Sequence, residues 1–133
     1  MKYETTEERA LLVEEAGEDL RERTKRFALQ IIRLYSALPK KTEAMVIGKQ
    51  VLRSGTSVGA NYREAYRARS DAEFVAKLGI CLQELDETSY WFELLAEGEI
   101  IASSRLSELS DECNQLLAIF TTISRKVKSR SKG

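Results

Sequence analysis

From Asp19 to Val127 the apolar residues of this chain recur at intervals of three and four, the period of an α-helix with one buried face. Leu20, Phe27, Ile31, Leu34, Tyr35 and Leu38 form the first such face behind Asp19, a residue suited to N-capping. Pro39, the only proline, ends that helix by restricting the residue before it. Thr42-Glu43 can cap a second helix running to about Ala68. Ser70-Asp-Ala-Glu73 has the form of a capping box and opens a third helix to about Glu97, where Gly98 followed by Ile100 suits a left-handed C-terminal cap. Ser103 or Ser104 starts a fourth, with Leu106, Leu109, Cys113, Leu116, Leu117, Phe120, Ser124 and Val127 on one face, and Ser129 to Gly133 read as frayed. Short connections force neighbouring helices to run antiparallel, so the fold class predicted is all-α, an up-down-up-down four-helix bundle with short loops. Residues 1–18 are an acidic N-terminal appendage with a short apolar patch at Ala10-Leu-Leu-Val13, residues 19–129 the bundle, and residues 130–133 a basic C-terminal end.

A chain of 133 residues can bury roughly two-thirds of the surface its unfolded form exposes, so no disulfide or metal staple is needed. Cys81 and Cys113 lie in apolar helical stripes and there is no apolar N-terminal leader, which points to a reducing cytoplasm. No window approaches the length of a membrane span, so no membrane partner is expected. Twenty-one basic and 21 acidic residues cancel, and the molecule as a whole has no field to draw it to nucleic acid. The charge is nonetheless uneven: residues 1–19 carry seven acids against Lys2 and Arg9, and residues 125–133 carry five basic residues and no acid.

Inside the second helix the stretch Ser54-Gly-Thr-Ser-Val-Gly-Ala-Asn-Tyr-Arg-Glu-Ala-Tyr66 places Gly55 and Gly59 in a helix interior, where each costs about 1 kcal/mol relative to alanine. That cost predicts close approach of another helix. Ser54, Ser57, Asn61 and Glu64 form a polar stripe beside it. The third helix is apolar on two sides, with Ile80, Trp91, Leu94 and Leu95 on the second side interrupted by Glu84 and Glu87. Carboxylates buried there need donors, and Ser57, Asn61 and Arg53 are the candidates. Ser57, Asn61, Glu64, Glu84 and Glu87 are therefore expected to form a structural polar lock, in which Asn61 donates to Glu84 or Glu87. The competing reading of the same residues is a ligand site.

The chain has no histidine, which removes the commonest general base and transition-metal ligand. The cysteines lack Cys-x-x-Cys spacing, and Gly55-x-x-x-Gly59 follows no strand, as a phosphate loop would. The expectation is no enzyme, no cofactor and no metal. The segments Arg53-Ser-Gly-Thr-Ser-Val-Gly-Ala-Asn-Tyr-Arg-Glu-Ala65, Arg69-Ser-Asp-Ala-Glu-Phe-Val-Ala-Lys-Leu-Gly-Ile80 and Gln83-Glu-Leu-Asp-Glu-Thr-Ser-Tyr-Trp-Phe-Glu-Leu-Leu95 resemble the four-helix bundle proteins related to those encoded in intervening sequences of bacterial large-subunit ribosomal RNA. The resemblance spans about residues 19 to 127 and implies an up-down bundle that assembles into a ring-like pentamer. One branch of that family, the accessory variability proteins of diversity-generating retroelements, is strongly basic, binds nucleic acid and partners a reverse transcriptase. This chain departs from that branch in its zero net charge.

Two functional readings follow. The first is a non-enzymatic, homo-oligomeric scaffold or interaction module whose partner is itself or another protein. The alternative is a nucleic-acid-associated accessory protein, for example with ribosomal RNA or a reverse transcriptase, that contacts RNA or DNA through Arg53, Arg63, Arg67, Arg69, Arg125, Lys126, Lys128 and Arg130.

Overall fold

The computed structural model describes residues 19–132, and the acidic appendage of residues 1–18 lies outside the described residues. Four helices follow one another: α1 (Leu20–Ala37), α2 (Thr42–Tyr66), α3 (Asp71–Glu97) and α4 (Ser103–Lys132). The caps explain most of the boundaries. Asp19 Oδ1 accepts from the Arg21 N–H at 2.9 Å and starts α1, and Leu38 turns to extended backbone ahead of Pro39. Ser70 Oγ accepts from the Glu73 N–H at 3.1 Å and caps α3, while the Glu73 carboxylate reaches back past the cap to accept from the Arg69 N–H at 3.3 Å.

Three local expectations are corrected. Thr42 is the first helical residue of α2 rather than its cap, and Lys41 precedes it without a side-chain bond. Gly98 has φ −80°, and the left-handed residue after α3 is Glu99 at φ 59°. The Ile100 N–H donates to Leu95 O and the Glu99 N–H to Ala96 O, the paired bonds of a Schellman turn. Helix α4 does not stop at Ser129 but runs to Lys132, because fully buried Val127 holds its last turns against the bundle.

Buried positions step along each helix by fours and threes: Leu20, Thr24, Phe27, Ile31, Leu34 and Leu38; Ala44, Gly48, Val51, Gly55, Val58, Tyr62 and Ala65; Phe74, Leu78, Cys81, Leu85, Thr88, Phe92 and Leu95; Leu106, Leu109, Cys113, Leu116, Phe120, Ile123 and Val127. This seven-residue repeat keeps one seam of each long helix turned inward along its whole length. Neighbours run antiparallel, as the cross-contacts show. Thr24 lies by Gly59 and Leu38 by Gly48, Val58 by Cys81 and Ser54 by Thr88, and Leu85 by Cys113 and Asp71 by Arg130. Among adjacent helices the α2–α3 contact is the most extensive and the α1–α4 contact much the thinnest.

The glycines in α2 are where α1 comes close. A Cβ on Gly55 would sit 2.7 Å from Ile31 Cγ1, and one on Gly48 2.6 Å from Leu38 Cδ1. Gly59 leaves slightly more room, with Thr24 Oγ1 at 3.2 Å. Across the core, the Tyr62 ring stacks on Phe120 with centroids 5.3 Å apart.

Candidate nucleic-acid interface at the basic end of the bundle

The polar stripe of α2 is divided among different partners, and the lock expected at Asn61 is not formed. Asn61 Nδ2 donates to Ser57 O of its own helix at 2.9 Å, and Ser57 Oγ donates to Arg53 O at 2.6 Å. Glu64 accepts from Lys77 Nζ at 2.8 Å. Arg53 supplies the donors for both carboxylates of α3, Nη1 to Glu84 at 3.3 Å and Nη2 to Glu87 at 2.8 Å. The reason is register. Arg53 and Ser54 lie opposite Glu84, Glu87 and Thr88, and Asn61 is eight residues farther along, about 12 Å down the axis at 1.5 Å per residue. The buried polar link between α2 and α3 is instead Thr88 Oγ1 with Ser54 Oγ at 2.8 Å, both residues fully buried, with Thr88 Oγ1 also 2.7 Å from Glu84 O. Thr88 has the right spacing for a core position, and nothing in the sequence distinguishes it from a solvated threonine.

These contacts also remove Arg53 from the phosphate-contact set, since its guanidinium is held at mid-helix between two carboxylates. The other seven basic candidates converge. Antiparallel pairing places the end of α2, the start of α3 and the end of α4 at one end of the bundle, together with the start of α1. Arg63, Arg67 and Arg69 stand exposed where α2 turns into α3. Arg125, Lys126 and Lys128 stand exposed on the last turns of α4, and Arg130 reaches Asp71 at 3.5 Å. Segments as far apart in sequence as Asp71 and Arg130, 59 positions, thus share one surface.

Sequence reasoning missed the contribution of α1. Arg21 lies 4.1 Å over the Tyr66 ring and lines a shallow pocket with Arg63 and Arg67, while Asp19 bonds its guanidinium at 3.1 Å. The Asp19 side chain raises the Arg21 pKa, and the Glu64 carboxylate raises that of Lys77, so both cations stay fully charged. Across residues 19–26, 63–77 and 123–130, twelve Lys and Arg face five Asp and Glu, a net of plus seven. Residues 27–62 and 78–122 carry six basic side chains against ten acidic ones, a net of minus four. Among the described residues the charge is therefore sorted toward a basic end.

The two thiols are not part of this surface. Cys81 and Cys113 are buried, lie 3.6 and 3.3 Å from Val58 O and Leu85 O, and burial pushes the pKa of each up to about 12. On the outer side of α3, Trp91 is half-buried beside exposed Tyr90, with ring centroids 5.1 Å apart. Its Nε1 is buried without a hydrogen-bond partner among the described residues. Among the described residues no helix is long and apolar enough to cross a membrane.

The family model for the 23S rRNA-intervening sequence protein matches residues 18–122 of the chain. Among solved structures, a protein of unknown function of the S23 ribosomal protein family from Bacteroides thetaiotaomicron VPI-5482 superposes with a TM-score of 0.74 at 38% identity, covering 79% of this chain and 94% of that one. Among curated proteins none matches. The span matched by the family model ends before Arg125, so the basic turns of α4 lie beyond it.

Proposed function

We propose that this chain, which belongs to the 23S rRNA-intervening sequence protein family, is a non-enzymatic helical-bundle module that associates with nucleic acid through the basic end of its bundle. The observation that carries this reading is the sorting of charge: seven of the eight basic candidates, joined by Arg21 and Lys77, share the end formed by the α2–α3 turn and the last turns of α4. Lys and Arg on a rigid scaffold contact phosphates, so the binding expected is sequence-tolerant and salt-dependent. The family's name points to RNA as the first nucleic acid to test. The lack of histidine and the two protonated, buried thiols support a role outside catalysis. Fluorescence anisotropy with a labelled RNA duplex tests the reading. Arg63→Glu with Arg67→Glu and Lys128→Glu is expected to weaken binding and flatten its salt dependence, and an affinity unchanged by the triple variant would exclude this end as the binding surface.

A second property is self-assembly, favoured by a different observation. Leu29, Ile32, Val46 and Tyr90 are large apolar side chains with 41 to 57% of their surface exposed, and Trp91 carries an unpartnered indole N–H beside Tyr90 on α3. Apolar surface of this kind on α1, α2 and α3 suits burial between copies. The resemblance to the family implies a ring-like pentamer. In a closed ring all basic ends are related by the same rotation, and linked sites bind a long polyanion more tightly than one site does.

A further inference from the structure

At the basic end a pocket of about 280 Å³ opens between the start of α1 and the end of α2, lined by Asp19, Arg21, Glu22, Arg63, Tyr66 and Arg67. One residue sets its geometry. Asp19 is fixed as the N-cap of α1 by the Arg21 N–H at 2.9 Å, and its carboxylate then grips the Arg21 side chain at two points, Oδ1 with Nε at 3.3 Å and Oδ2 with Nη2 at 3.1 Å. The guanidinium so held lies over the Tyr66 ring, with Cζ 4.1 Å from its centroid. The pair is reachable from outside, since the Arg21 side chain keeps 42% of its surface exposed and Tyr66 47%. Arg63 and Arg67, one turn apart on α2, stand exposed beside it, and Glu22 stands exposed in the first turn of α1.

We propose that this pocket takes one unpaired nucleotide of a nucleic-acid strand, with its base stacked against the Arg21–Tyr66 pair and its phosphate met by Arg63 and Arg67. The proposal rests on the reading of the basic end as a nucleic-acid surface and names the part of the ligand that this end selects. Guanidinium planes and aromatic rings are the surfaces on which splayed-out bases stack, and a duplex, whose bases are already stacked and paired, cannot use them. The lining also argues against a bare phosphate. Three guanidinium groups suit phosphate oxygens, but the Glu22 carboxylate repels them, and the other acid, Asp19, is already engaged by Arg21. A base edge answers Glu22, because its N–H groups donate to a carboxylate and a phosphodiester has none to give. Since Asp19 fixes Arg21 in advance, stacking on it costs little side-chain freedom.

The test compares a blunt RNA duplex with the same duplex carrying a single unpaired nucleotide at one 3′ end, by fluorescence anisotropy with the full chain. The unpaired nucleotide is expected to tighten binding by about fivefold or more, the lower end of what stacking one base on an aromatic side chain contributes. Tyr66→Leu is expected to bring the ratio of the two affinities close to one, and Glu22→Ala to lower it, with circular dichroism confirming the fold of each variant. With 5-iodouridine as the unpaired nucleotide, irradiation and peptide mass spectrometry are expected to place the crosslink on Tyr66. Equal affinity for the two duplexes, a ratio kept in Tyr66→Leu or raised in Glu22→Ala, or the absence of a crosslink to Tyr66 would overturn the proposal. In each of those cases blunt-duplex binding that depends on Arg63, Arg67 and Lys128 would leave the broader reading standing, whereas no binding of either duplex would overturn both. Adenosine 5′-monophosphate is expected to displace the duplex with the unpaired nucleotide only at millimolar concentration, and displacement at micromolar concentration would assign the pocket to a free nucleotide and overturn the proposal as well.

Discussion

Gly55 and Gly79 both interrupt a helix with a residue that disfavours helices, and the structure separates them. A Cβ on Gly79 meets nothing within 4 Å, whereas one on Gly55 meets Ile31 at 2.7 Å. Gly79→Ala is therefore expected to stabilise the protein by about 0.5–1 kcal/mol through reduced backbone entropy, raising the thermal midpoint by a few degrees. Gly55→Ala is expected to lower it, because α1 must shift to admit the methyl group. Thermal melts followed by circular dichroism check both, and a higher midpoint for Gly55→Ala would contradict the close approach. The sequence made Gly55 and Gly59 legible because they fall within an apolar stripe; Ser54 with Thr88 was not legible, because which hydroxyls face each other depends on the register of two helices. The thiols give a pH dependence. Their folded pKa values of about 12 lie above the ordinary thiol value, so the folded state keeps protons that the unfolded state releases. This contribution is complete below about pH 9 and is lost as pH rises toward 12. Denaturant unfolding from pH 7 to 11 is expected to show stability falling above pH 9, with a shallower fall in Cys81→Ala together with Cys113→Ala.

At the scale of the helix, the capping residues and the lone proline marked the starts of α1 and α3 and the end of α1, because those signals act within one turn. The end of α4 was hidden for the opposite reason. The periodicity reaches Val127, but Lys128 to Lys132 are basic and polar, and only the structure shows that the helix continues to Lys132. The turn after α3 carries a testable cost. Glu99 adopts a left-handed backbone that is unfavourable for any residue with a Cβ by about 1–2 kcal/mol. Glu99→Gly removes that strain but loosens the unfolded chain, so a net gain of about 0.5–1 kcal/mol is expected. A destabilised Glu99→Gly variant would mean that the Glu99 side chain contributes something beyond its place in the Schellman turn.

For the whole molecule, the bundle was legible from periodicity, but its electrostatics were not. Arg63 to Arg69 and Arg125 to Arg130 are far apart in the chain, and a sum over composition cancels them against acids at other sequence positions. Antiparallel topology brings them together with the start of α1. Self-assembly belongs to this scale too: light scattering at micromolar concentration is expected to give a mass well above the 15.1 kDa of one chain, and Trp91→Glu to reduce it. A particle of monomer mass would rule out assembly under those conditions. The central claim, that the basic end is the working surface, is tested most directly by comparing two triple charge reversals for RNA-duplex affinity over a range of salt. One is Arg63→Glu, Arg67→Glu and Lys128→Glu at the basic end, and the other Lys40→Glu, Lys41→Glu and Lys49→Glu toward the opposite end. The account predicts that the first flattens the log–log salt slope by about 0.9 for each phosphate no longer neutralised and that the second leaves it nearly unchanged, whereas equal weakening by both would contradict it.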